Sequence, residues 1–303
     1  MRLAFFLLSL FLVAITLVGF YSATLSGLNE VGGSLEGVVS LRTPLNEQSP
    51  DHVASEEHAH SSPPGTLTEL LTQAQQMLQH MRLHVRDYTA TLVKQERISG
   101  KLAPEARMLL KIRNPAAASS SRSETGVAAY LKFTAPKNMQ GREVIWVDRG
   151  LGSKLVAHET GFLNLMRVEL DPQGTLAMLG NKYPITEIGL MRLLEKLIEK
   201  IDRGVDLSRC TIEIRDNQQV GDRSCRLVQV TQPRSVPGAD FCIAQVFLDL
   251  ERQVPLRYAA FLWPEREGDP PLLEEEYTYL DLQLNVGLGD ADFDPDNAAY
   301  DFP

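Results

Sequence analysis

Cysteine is scarce in this chain, with three in 303 residues. That is too few to staple a small disulfide-rich domain, and none forms the C-x-x-C pair of a zinc ribbon or a thioredoxin-like redox site. Dense basic runs are missing as well. Lys and Arg number 30 against 39 Asp and Glu, a formal charge of -9, and no basic patch is available to neutralise a phosphate backbone, which argues against a nucleic-acid partner. Catalytic signatures are also lacking. No G-x-S-x-G elbow offers a nucleophilic serine, and Gly150-Leu151-Gly152-Ser153-Lys154 departs from both phosphate-loop spacings and reads as a turn. His80 and His84 are spaced i to i+4, yet Met81 stands where a zinc protease needs glutamate. His158 has no identifiable partner and reads as structural. Dispersed acids such as Glu143 and Asp148 offer little support for chemistry. These absences assign no catalytic residue, metal or cofactor, and they point away from an enzyme.

What is present begins with Leu3 to Tyr21, an almost unbroken apolar run preceded by Arg2. It is close to the ~20 residues that span a bilayer core. Residues 1–22 therefore read as a signal peptide or an N-terminal membrane anchor, with the anchor favoured because Tyr21 sits poorly before a cut at Ala23; a cut after Ser26 stays open. No cysteine near the run supports lipoprotein acylation. One positive charge before it and several acids after it place the bulk of the chain on the periplasmic side of a bacterial cell envelope, held in the inner membrane by residues 3–21. Residues 23–65 are rich in Gly, Ser, Pro, Glu and His and end in Ser61-Ser62-Pro63-Pro64-Gly65, which predicts a disordered tether.

Residues 66–303 read as a single folded domain. Thr66-Leu67-Thr68-Glu69 is a capping-box pattern opening a helix whose Leu70, Leu71, Ala74, Met77, Leu78 and Met81 form one apolar stripe. The period then changes to two: Ala106, Met108, Leu110 and Ile112 alternate with polar residues, and similar runs follow near 129–133, 144–147, 163–170, 210–215, 224–231, 241–250, 254–263 and 275–284. Between Ile185 and Ile201 the period returns to a helix with a wide apolar face, stopped by Asp202-Arg203-Gly204. The predicted class is α+β, an antiparallel meander with amphipathic helices.

Two further patterns carry expectations. Cys210 and Cys225 lie on neighbouring predicted strands and form a disulfide candidate, with pairings through Cys242 left open. Asp290, Asp292, Asp294 and Asp296 alternate like calcium-loop ligands, but Pro295 replaces the glycine of the sharp turn, so a C-terminal hook of turns is expected instead.

The strings Leu131-Lys132-Phe133 through Pro136, Gly141-Arg142-Glu143-Val144, Val254-Pro255-Leu256-Arg257-Tyr258 and Trp263-Pro264 resemble an uncharacterised family of exported bacterial proteins known mainly from planctomycetes. Asn285-Val286-Gly287-Leu288, Asp292-Phe293, Asn297 and Tyr300-Asp301-Phe302 extend the resemblance over residues 66–303. In element order that family is similar to the periplasmic lipoprotein carriers LolA and LolB. This second resemblance implies a curved antiparallel sheet, a half-open barrel with helices over its concave face, and a non-enzymatic protein binding lipid or a lipidated protein in a hydrophobic concavity. Met191, Leu194 and Ile198, on the wide-faced helix, are then the expected lid residues, and the membrane is a partner through the N-terminal segment. The competing expectation is a structural or interaction module whose core is filled by its own side chains.

Overall fold

The computed structural model describes residues 67–115, 126–161, 166–202, 209–234 and 240–303. The predicted anchor, tether and Thr66 cap fall outside these residues. All the described residues belong to one compact unit, His58–Pro303.

Alternating side chains build most of the domain. In order come α1 (Leu67–His84), β1 (Asp87–Ile98), β2 (Lys101–Leu102), β3 (Ala106–Arg113), β4 (Ala128–Ala135), β5 (Glu143–Val147), β6 (Leu155–His158) and β7 (Val168–Leu170). Then follow α2 (Thr175–Met178), α3 (Leu190–Asp202), β8 (Thr211–Val220), β9 (Arg223–Thr231), β10 (Ile243–Asp249), β11 (Val254–Leu262) and β12 (Leu272–Leu284). Among the described residues these make one twelve-stranded antiparallel sheet in the order β7-β6-β5-β4-β3-β1-β12-β11-β10-β9-β8, with β2 pairing only β1. Two meanders, β3 to β7 and β8 to β12, thus flank β1, which pairs with β3 on one side and β12 on the other. The class is α+β, as the alternation predicts.

Period two gives the sheet two faces. On one, Tyr88, Ala90 and Leu92 of β1, Met108, Leu110 and Ile112 of β3, Leu131 of β4 and Leu256 of β11 join Met77, Leu78 and Met81 of α1 and Leu190 and Leu194 of α3 in the main core. Residues four apart on each helix therefore bury one stripe against the strands. On the other face Ala128, Tyr130, Ile145 and Val147 pack against Phe293, with Leu288, Tyr300 and Phe302 around them. The C-terminal segment Gly287–Pro303 is thus a strap over the sheet's second face.

The strap is held by charge. Lys111 bonds Asp292 at 2.7 Å and the Tyr300 hydroxyl at 3.0 Å, Arg113 bonds Asp290 at 2.7 Å, and Lys132 bonds Asp301 at 2.8 Å. Arg167 takes Asp296. Of the alternating aspartates, which resemble calcium ligands in sequence, Asp290, Asp292 and Asp296 are spent on these cations and Asp294 accepts from the Asp296 amide at 2.9 Å, and among the described residues no cluster of three metal-ligating side chains occurs.

The disulfide expectation is overturned. The β8–β9 ladder runs from Thr211 opposite Thr231 to Val220 opposite Arg223, which sets Cys225 across from Gln218. Cys210 precedes Thr211 and so lies at the far end of the hairpin. No bridge joins the two, because the turn at Gly221-Asp222 fixes a register that separates them.

Candidate functional site

Where α1 ends, β3 has run out at Asn114-Pro115 and β4 has yet to begin at Val127, the start of α3 leaves a groove of about 440 Å³. Leu83, Pro115, Val127, Ile188 and Met191 give it apolar walls, and Arg82, Arg192 and Glu195 form a charged rim. Arg82 bonds Glu195 at 2.8 Å, tying α1 to α3 across the groove. Arg192 is shared by Glu187 at 2.6 Å and Glu199 at 2.9 Å. Burial works to raise the Glu187 carboxyl, but Arg192 and Lys196 outweigh it and hold the group below its usual range.

The entry to α3 is built around Tyr88. The Leu190 amide donates to the Tyr88 hydroxyl at 2.9 Å, deep in the core. Gly189, just before it, has φ +110, and a Cβ there would lie 3.1 Å from that hydroxyl. Only glycine suits this backbone and this approach. Burial, reinforced by Tyr279, pushes the Tyr88 phenol well above its ordinary value, so its proton stays on.

Below the groove the same face turns polar. Glu96 and Glu275 are directly opposed on β1 and β12 and are each 3% exposed. Two carboxylates side by side out of water repel and must be compensated. The Tyr277 hydroxyl donates to Glu96 at 2.6 Å, the Lys182 amide donates to it at 3.0 Å, and Lys94 lies 3.1 Å away. Glu275 accepts from the Tyr183 hydroxyl at 3.0 Å and pairs with Lys182 at 2.7 Å. Lys182 also takes Glu274 at 2.7 Å, and Asn181 accepts from Lys94 at 2.8 Å. Burial, then the charges of Glu96 and Glu275, push the Tyr277 phenol far above its usual range and keep it a donor. Lys182 is held above its ordinary value by Glu274 and Glu275 despite burial. The arrangement clamps Asn181, Lys182 and Tyr183, the chain leading to α3, onto the sheet.

The three expected lid residues separate here. Leu194 is 1% exposed and belongs to the main core, Ile198 packs against that core half-buried, and Met191 alone lines the groove. Glu143 and Asp148 stand at opposite ends of β5 and share no site. Glu143 and His158 meet under the strap instead. Lys132 lies 2.8 Å from Glu143, His158 Nε2 is 3.8 Å from it, and Phe302 meets the imidazole edge-on. His158 Nδ1 faces the Glu159 carbonyl at 2.7 Å, so that nitrogen carries the proton.

Sequence reasoning passed over Leu83, Val127 and the Glu96–Glu275 pair. The opposed glutamates leave no signal in a single chain, because their partners lie far along it.

A family model described as "Protein of unknown function (DUF1571)" matches residues 85–302. The chain belongs to the DUF1571 family. The match takes in every strand of the domain, the groove wall from Val127 to Met191, the glutamate pair and the strap. No curated protein matches the chain. Among solved structures the DUF1571 domain bears a distant resemblance to a putative outer membrane lipoprotein-sorting protein domain from Vibrio parahaemolyticus, with 11% identity, a TM-score of 0.35, and 74% of this chain and 95% of that chain covered. It is also similar to the MucA/MucB complex of Pseudomonas aeruginosa, at 15% identity and a TM-score of 0.40 over 74% of this chain and 60% of that one. A LolA superfamily protein from Nitrosomonas europaea aligns at 10% identity and a TM-score of 0.29, over 73% of this chain and 97% of that one.

Proposed function

We propose that the DUF1571 domain is a non-enzymatic module of the bacterial cell envelope that takes an acyl chain, from a lipid or a lipidated protein, into the groove between α1 and α3. The sheet is then a half-barrel whose concave side is the helix-covered face, and residues 3–21 hold the protein at the inner membrane on its periplasmic side. The observation that carries this reading is the groove itself. Five apolar side chains from α1, the β3–β4 ends and the α3 entry wall a volume of about 440 Å³, within the ~300–1,000 Å³ range of small-ligand pockets. Met191 adds an unbranched, adaptable side chain of the kind that accommodates varied apolar ligands.

The test is native mass spectrometry of the compact unit His58–Pro303, secreted to a periplasm and purified without detergent, followed by titration with a fluorescent fatty acid. Copurified lipid, and fatty-acid affinity reduced about tenfold or more by Met191→Glu or Val127→Glu in proteins that melt as the parent does, is the expected result. A clean apo mass with no fatty-acid binding overturns it.

A second reading is favoured by one observation: Met81, Tyr88, Leu190 and Leu194 leave almost no exposed surface beneath α3. In that reading the core is self-filled and the protein is an envelope interaction module. The apo outcome supports it.

A further inference from the structure

Leu151 is 109% exposed, more than any other large apolar side chain of the described residues. A lone exposed leucine is ordinary. This one is presented by a built turn. Gly150 (φ +89) and Gly152 (φ +82) bracket it. The Gly150 amide donates to Asp148 Oδ1 at 2.9 Å, the Arg149 amide donates to Ser153 Oγ at 2.7 Å, and that hydroxyl donates to the Gly150 carbonyl at 2.7 Å. The leucine is held outward between two exposed cations, Arg149 and Lys154, the latter 3.8 Å from Asp171.

Topology puts other apolar tips on the same rim. Val147 pairs with Ala128, Ala128 with Arg113, Arg113 with Asp87, and Tyr88 with Leu284. The β5–β6 turn, the α1–β1 junction and the end of β12 therefore share one end of the sheet, and the β10–β11 turn joins them because Asp249 pairs with Val254. Leu83 (57% exposed), Val286 (42%) and Leu250 (40%) sit on these connections. With Leu151 they are four of the eight exposed large apolar side chains among the described residues. Arg86 is exposed beside them; of the acids on this end, Asp148 caps the Leu151 turn, Asp171 faces Lys154 and Asp290 is paired with Arg113, while Asp222 and Glu251 lie at the far corner, where Glu251 is paired with Arg223. The groove wall residues Leu83, Pro115 and Val127 belong to this end too.

We propose that this rim contacts a lipid bilayer, with Leu151 entering the interface and Arg149 and Lys154 meeting anionic headgroups. An apolar side chain in the acyl boundary with cations flanking it at headgroup level is the pattern of interfacial binding. A groove mouth on the same rim lets an acyl chain pass from bilayer to groove without crossing water, and this part rests on the reading of the groove given above. The proximity of a bilayer rests on the reading of Leu3–Tyr21 as a membrane anchor.

The test uses the full chain reconstituted in phosphatidylcholine and phosphatidylglycerol vesicles containing brominated phosphatidylcholine. Leu151→Trp places an indole on the rim, and Leu102→Trp places one on β2 at the opposite end of the sheet. With the parent's Trp146 and Trp263 emission subtracted, L151W is expected to emit blue-shifted light quenched at least twofold by the bromolipid, and L102W to stay solvent-like and unquenched. Solvent-like emission from L151W, quenched by aqueous iodide as in L102W, overturns the proposal, as does emission shielded from iodide and bromolipid alike, which would show a protein covering the rim. Fatty-acid binding by the unit His58–Pro303 is measured separately, so a wet rim with an occupied groove refutes only the membrane contact.

Discussion

Leu194 and Met191 stand three residues apart on α3, and truncating each asks a different question. Leu194 is enclosed by the main core, so Leu194→Ala empties a packed site and is expected to cost about 2–5 kcal/mol in urea unfolding. Met191 already faces the groove, and Met191→Ala should cost less than about 1 kcal/mol while altering ligand affinity. Tyr88→Phe leaves the buried Leu190 amide without an acceptor, and a loss of about 1–3 kcal/mol is expected from the same measurement. Glu96→Ala removes one of two opposed glutamates, strands the Tyr277 hydroxyl and the Lys182 amide together, and leaves Lys94 its bond to Asn181 with no carboxylate beside it. Breaking such a buried charged network is expected to cost about 3–5 kcal/mol, with faster hydrogen exchange at Asn181, Lys182 and Tyr183 as its local sign.

At the scale of elements, the strap is acid-sensitive in a defined direction. Asp292 is held below the ordinary aspartate value because Lys111 and the Gly289 amide outweigh the opposing effect of burial, and Asp301 is lowered by Lys132. A carboxyl depressed in the folded state contributes stability that is complete above its unfolded value and lost as pH falls through the folded one. Lowering pH from about 5 to about 2 should therefore release the strap before the main core, read as loss of exchange protection at Phe293 and Tyr300. Most elements were legible because period two and period 3.6 survive in their apolar residues. The central strand β1 was not. Its alternation continues into Lys94 and Glu96, which face the helix side and are compensated by tyrosines and lysines from elsewhere, so apolar periodicity stops halfway along it. The strand β6 is four residues long, too short for a period to show. The β8–β9 hairpin was visible while its register was not, which is why Cys210 and Cys225 were paired on paper and stand apart in the fold. Of the groove Ile188 and Met191 had a signal, through the helix expected between Ile185 and Ile201; Leu83 reaches it from the last turn of α1 and Val127 from the residue before β4, and no local pattern encodes their meeting.

For the whole molecule, the pairing of β12 with β1 is what joins the two meanders. Removing residues 272–303 takes one neighbour from each of β1 and β11, which keep β3 and β10, and strips the strap from Tyr130 and Ile145. Such a protein is expected to lose its cooperative thermal transition by circular dichroism and to bind a hydrophobic dye, whereas removing only the strap should lower the melting temperature and keep the transition cooperative.

The pairing of β1 with β12 also sets a clock. Tyr277 and Glu96 are 181 residues apart in the chain, so the middle of the sheet waits for the last strand to be made. Closing so distant a contact is slow compared with forming either meander. A nascent chain of this design carries β1 to β7 with an open seam beside β1 until β12 is made, so the half of the sheet built first holds an unpaired central edge through the rest of its synthesis.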